Sequence, residues 1–104
     1  MKGFLISDNH DSLVLLRLGG IPGVEVHGPE AAAAAIDNVL ENRPDVGVIV
    51  LTEKAAEWVP AMVKSLRERG EPPLLVEIPD RHGSVRQGDF LMRYIREAIG
   101  VKIE

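Results

Sequence analysis

The feature that most constrains this sequence is an unbroken apolar run at residues 46–51, built only from valine, glycine, isoleucine and leucine. The run is far too short to cross a bilayer, and its β-branched residues favour a strand. A strand that is apolar on both sides has to be covered on both sides, which is typical of a parallel sheet in an α/β protein. The sequence therefore predicts a buried central strand with helices on both faces of its sheet.

Three further segments are predicted as strands, at residues 3–7, 24–27 and 74–78. The segment at residues 24–27 is short and half polar, as expected of a strand at the edge of a sheet. Helical patterns occupy the intervals between and after the strands, at residues 13–18, 29–40, 53–69 and 89–99. Thr52 is predicted to cap the third helix, and Pro60 is predicted to kink or restart it because proline lacks an N–H group.

Strands and helices that alternate in this way predict parallel strands joined by helical crossovers. We expect an α/β fold of the Rossmann or receiver type, with a single open four-stranded parallel sheet in the order 2-1-3-4 and helices on both faces. A chain of 104 residues fits one domain over residues 1–104. Its last helix is expected at about residues 89–99, and a short tail at residues 100–104.

Charge and cysteine content argue against several kinds of function. The net charge is −4, which gives no general attraction to nucleic acid or to anionic lipid. The sequence has no cysteine, which removes disulfides and thiolate metal ligands and fits a cytoplasmic location. No apolar run is long enough to insert in a membrane. We therefore expect that any association with a membrane occurs through another protein.

Catalytic and ligand-binding signatures are weak at the predicted strand ends. The glycines of residues 19–23 follow a helix and precede a strand, the reverse of a phosphate-binding loop, so no nucleotide cofactor is predicted. The third strand ends at Glu53 without the aspartate that a receiver domain phosphorylates. A metal held by Asp8, His10 and His27 would need a loop geometry that the sequence does not supply. No catalytic, cofactor or metal residue is predicted.

One alternative function remains open at the end of the first strand. His10 lies where some sugar-phosphotransferase components carry a phosphohistidine, and Asn9 and Asp11 are placed to orient its ring. The opposing interpretation is an exposed histidine in a turn, because an imidazole without oriented partners is not a site. A cytoplasmic histidine phosphocarrier is therefore the alternative hypothesis.

Two segments favour binding to another protein. The first helix is almost wholly apolar apart from Arg17, so either it is unusually buried or it meets a partner. The C-terminal third gathers arginines beside two aromatic residues, a combination that often anchors protein interfaces. The residues in question there are Arg81, Arg86, Phe90, Arg93, Tyr94 and Arg96.

Four short motifs resemble the F subunit of the V/A-type rotary ATPases. The segment Leu51-Thr52-Glu53 is similar to the family's Ile-Thr-Glu after its third strand, and Glu77-Ile78-Pro79 is similar to its Glu-Ile-Pro. Residues 15–21 resemble the family's Gly-Phe-Arg-Leu-Ala-Gly-Ile, and residues 95–101 resemble its closing Ile-Lys-Arg-Ala-Ile-Gly-Val. The four motifs occur in the family's order and span nearly the whole chain.

The resemblance implies a non-catalytic component of the central rotor stalk that binds the coiled-coil D subunit. Such a component helps to couple ATP hydrolysis or synthesis to ion transport, and it lies in the cytoplasm, attached to the membrane only through the complex. It needs no cofactor and no nucleic acid. The candidate contact residues are Arg17, Arg81, Arg86, Phe90, Arg93, Tyr94, Arg96 and Ile99.

Overall fold

A computed structural model describes residues 2–79 and Arg93 of the chain. The helices and strands, in chain order, are β1 (Lys2–Ser7), α1 (His10–Leu18), β2 (Gly23–Glu25), α2 (Pro29–Asn42), β3 (Val46–Thr52), α3 (Glu53–Trp58), α4 (Pro60–Arg69) and β4 (Leu74–Ile78). Arg93 is helical, as predicted. The remainder of the predicted helix at residues 89–99 and the tail at residues 100–104 lie outside the described residues.

The four strands form one sheet in the order β2-β1-β3-β4. Every neighbouring pair is parallel, with Phe4 opposite Ile49 and Ile49 opposite Leu75. The predicted fold class and strand order are therefore confirmed. The central position of β3 explains its unbroken apolar run, because both of its faces are buried.

The side chains of the sheet separate into two hydrophobic clusters, one on each face. On the first face Ile6, Ile49 and Leu51 pack with residues from α2, α3 and α4. On the second face Leu5, Val48 and Val50 pack with Leu13 and Leu16 of α1, among others. The alternation of side chains along a strand thus assigns α1 to one face and the next three helices to the other.

Helix α1 begins three residues earlier than the apolar pattern predicted. The predicted range was 13–18, whereas the helix starts at His10. Asn9 caps it, because its side-chain Oδ1 accepts a hydrogen bond from the backbone N–H of Ser12 at 2.7 Å. The first turn is polar, so a search for apolar periodicity overlooks it.

The C-terminal end of α1 is a Schellman motif. The N–H of Ile21 donates to the Leu16 carbonyl at 2.8 Å, and the N–H of Gly20 donates to the Arg17 carbonyl at 3.0 Å. Gly20 has a φ of 93°, a conformation that favours glycine. Both Ile21 and Leu16 belong to the same buried cluster. The prediction that these glycines follow a helix and precede a strand is confirmed.

Strand β2 runs along the edge of the sheet and comes unusually close to β1. It covers Gly23–Glu25 rather than the predicted residues 24–27. A Cβ atom added to Gly23 would lie 2.7 Å from the Cβ of Leu5, and it would also overlap the Leu5 carbonyl oxygen. The two strands can approach this closely only because residue 23 has no side chain.

Pro60 divides the third predicted helix into two helices. Helix α3 ends at Trp58, Val59 leaves the helical conformation with φ −134° and ψ 54°, and Pro60 occupies the first turn of α4. The predicted restart is therefore confirmed. Helix α4 ends at Arg69 and is capped by Gly70, which has a φ of 69° in the left-handed region.

Candidate functional site

Thr52 connects two strands at the carboxyl edge of the sheet. It lies at the N-cap position of α3, but its side chain makes no capping hydrogen bond to that helix. Its Oγ1 instead accepts the backbone N–H of Asp8 at 3.2 Å, between residues that are 44 apart in sequence. The predicted N-cap position of Thr52 is therefore confirmed, but its side chain does not bond to α3, because the end of the adjacent strand β1 offers a competing donor.

Ser7 and Asn9 form a second set of hydrogen bonds at the same edge. The Ser7 hydroxyl donates to the Asn9 carbonyl at 2.7 Å and accepts the Asn9 backbone N–H at 3.0 Å. Ser7 is fully buried. These contacts fix the turn that leads from β1 into α1, so the polar residues here support the fold.

Replacing Thr52 with valine is expected to lower the free energy of unfolding by about 1–3 kcal/mol. Valine has the same shape but leaves the half-buried Asp8 N–H without its Oγ1 acceptor. Urea unfolding followed by circular dichroism measures the change.

Ser12→Ala is the matched control. Ser12 is 1% exposed, and its Oγ has no hydrogen-bond partner. Removing an unpaired buried hydroxyl is expected to leave the stability unchanged or to raise it by up to about 1 kcal/mol. Equal losses in the two variants would contradict the distinction between a bonded and an unbonded hydroxyl.

Two histidines meet one carboxylate beside these hydrogen bonds. The Glu25 carboxylate lies 3.3 Å from His10 Nδ1 and 2.6 Å from His27 Nε2. His10 begins α1 and Glu25 ends β2, and the strand order places these two ends side by side. Asn9 and Asp11 were predicted to orient His10, whereas the contact with Glu25 was not predicted. The predicted strand order already placed β1 beside β2, and this adjacency could have indicated the contact between His10 and Glu25.

The exposure of these side chains limits what they can do. The His10 and His27 side chains are 71% and 70% exposed, so water screens their contacts with Glu25. His10 is the first residue of α1. The interpretation that it lies in a turn is therefore wrong. Among residues 2–79 and Arg93, no group of three or more acidic or histidine side chains is placed to hold a metal ion.

A charged cluster occupies the opposite, amino edge of the sheet. The Asp45 carboxylate lies 3.5 Å from both Lys2 Nζ and Arg43 Nε. Desolvation alone would raise the pKa of Asp45, but its backbone hydrogen bond and the two cations outweigh it, so the pKa is lowered. Stability from this carboxylate is present above its unfolded-state pKa and is lost as the pH falls through the folded value. The cluster ties the starts of β1 and β3 together.

The outer surface of α1 exposes apolar side chains next to a positive charge. Leu13 and Leu16 face the core, whereas Leu18 is 81% exposed and Val14 is 38% exposed. Arg17 is also exposed, in the last turn of the helix. Of the two sequence interpretations of this helix, unusual burial is therefore wrong. Val14 and Leu18 were not among the predicted contact residues.

Only two of the predicted contact residues lie in the described part of the chain. Arg17 and Arg93 are both exposed. The others lie outside the described residues and stay predictions; they are Arg81, Arg86, Phe90, Tyr94, Arg96 and Ile99. In residues 2–79 no helix is long and apolar enough to span a membrane.

The fold and these contacts define a small parallel α/β protein whose polar strand ends stabilise the sheet and whose first helix presents an exposed apolar face. The ATP synthase (F/14-kDa) subunit family matches residues 4–95, which is most of the chain. The chain belongs to this family. The resemblance inferred from the four motifs is thereby confirmed.

Individual relatives match over nearly their whole length. The chain is 34% identical over 105 residues to the F subunit of the A-type ATP synthase of Methanocaldococcus jannaschii, with all of both chains covered. It is 35% identical over 96 residues to the same protein of Methanococcus maripaludis, covering 90% of this chain and 91% of the relative. The F subunit of the Pyrococcus furiosus enzyme is 30% identical over 109 residues, covering all of this chain and 99% of the relative.

Proposed function

We propose that this chain is the F subunit of a V/A-type rotary ATPase or ATP synthase, a non-catalytic component of the central stalk. The observation that carries the proposal is the match over the whole chain to F subunits of A-type ATP synthases. Its partner in the stalk is the coiled-coil D subunit, and the pair helps to couple ATP hydrolysis or synthesis to ion transport. The chain would then lie in the cytoplasm, held at the membrane through the complex.

The outer face of α1, formed by Val14, Arg17 and Leu18, is one proposed contact surface. Leu18 is 81% exposed, so a partner that covered it would remove apolar area from water, which favours association. The Arg17 guanidinium can donate two parallel hydrogen bonds to a single carboxylate of a partner. The C-terminal residues named above form the other proposed contact surface, and Arg93 is exposed as this role requires.

The contacts at the strand ends also support a non-catalytic role. Ser7, Asn9 and Thr52 already use side-chain oxygens to hold the backbone. A reacting group needs a partner that activates it, and these contacts serve the fold instead. ATP is then bound by other components of the complex.

The phosphocarrier alternative has less support. Glu25 contacts Nδ1 of His10 and could orient the ring, but the imidazole is 71% exposed and the pair is open to water. The family to which the chain belongs is an ATP synthase subunit family. We therefore retain the stalk component as the proposed function.

Co-expression with the coiled-coil D subunit encoded by the same genome tests the proposed partner. A single peak of a one-to-one complex on gel filtration, with its mass confirmed by light scattering, is expected at micromolar concentration. Two separate peaks under the same conditions would contradict binding to this coiled coil.

Charge reversal tests the contact surface separately. Arg17→Glu is expected to weaken binding to the D subunit at least tenfold, about 1.4 kcal/mol, because it places a carboxylate beside the exposed apolar residues. Lys64→Glu is the matched control, since Lys64 is exposed on α4, which packs on the other face of the sheet. Titration calorimetry measures both affinities. Equal affinities for the two variants would show that α1 does not contact the D subunit. They would not contradict binding of the D subunit itself.

A further inference from the structure

We draw no further inference here: the strongest candidate, the cluster at the carboxyl edge of the sheet in which His10 and His27 both contact Glu25, has imidazoles that are 71% and 70% exposed, and no group of three or more acidic or histidine side chains among the described residues is placed to hold a metal ion.

Discussion

Replacing Gly23 with valine is expected to lower the free energy of unfolding by about 3 kcal/mol. Any side chain at this position starts with a Cβ atom 2.7 Å from the Leu5 Cβ and in overlap with the Leu5 carbonyl oxygen. Backbone atoms cannot rotate away as a flexible side chain can, so β2 must separate from β1. Urea unfolding monitored by circular dichroism measures the loss.

The neighbouring substitution Val24→Ala is the control for Gly23→Val. Val24 is 37% exposed on the same strand, so its truncation introduces no overlap and is expected to cost only about 1 kcal/mol. Hydrogen exchange at the amides of β2 should accelerate in Gly23→Val and remain near the wild-type rate in Val24→Ala. A Gly23→Val protein as stable as the wild type would show that the two strands are not packed this closely.

Truncating Leu16 to alanine is expected to cost about 2–5 kcal/mol. The Leu16 side chain is fully buried between α1 and the sheet. The lost methyl groups leave a cavity on the face of the sheet where Leu5 and Val50 pack. The free energy of unfolding by urea at several protein concentrations checks this value.

Leu18→Ala provides an unusually close comparison. It is the same substitution in the same helix, and the side chain is 81% exposed, so the expected change is within about 0.5 kcal/mol. The helix propensity difference between leucine and alanine is shared by the two variants and cancels. Similar losses at both positions would contradict the orientation of α1. If α1 contacts the D subunit, Leu18→Ala should weaken that complex while leaving the isolated chain stable.

Much of the fold could be predicted because the strands of the sheet are apolar runs. Residues 46–51 and 74–78 correspond closely to β3 and β4, and the central strand was recognised by its lack of polar positions. The strand order followed from analogy with doubly wound sheets rather than from any residue pair. Pro60 marked a helix boundary because its backbone preference is strong and local.

The polar contacts at the strand ends were harder to predict because they depend on which strands are neighbours. The Thr52 hydroxyl can accept a hydrogen bond either from the first turn of α3 or from the Asp8 N–H, which is distant in sequence. Only the folded sheet shows that the Asp8 N–H is close enough to donate to it. His10 and Glu25 are similarly brought together by the pairing of β1 and β2. The first turn of α1 was not predicted because its residues are polar and show no helical spacing of apolar side chains. A side-chain cap from Asn9 begins the helix there.

The position of β1 between β2 and β3 has a consequence for the order in which the protein assembles during translation. β1 is synthesised before β3, yet it can be paired on both sides only after the ribosome has completed residue 52. Until then its second edge is an open template for other chains. Nascent chains that stop before β3 are therefore expected to leave this edge of β1 unpaired.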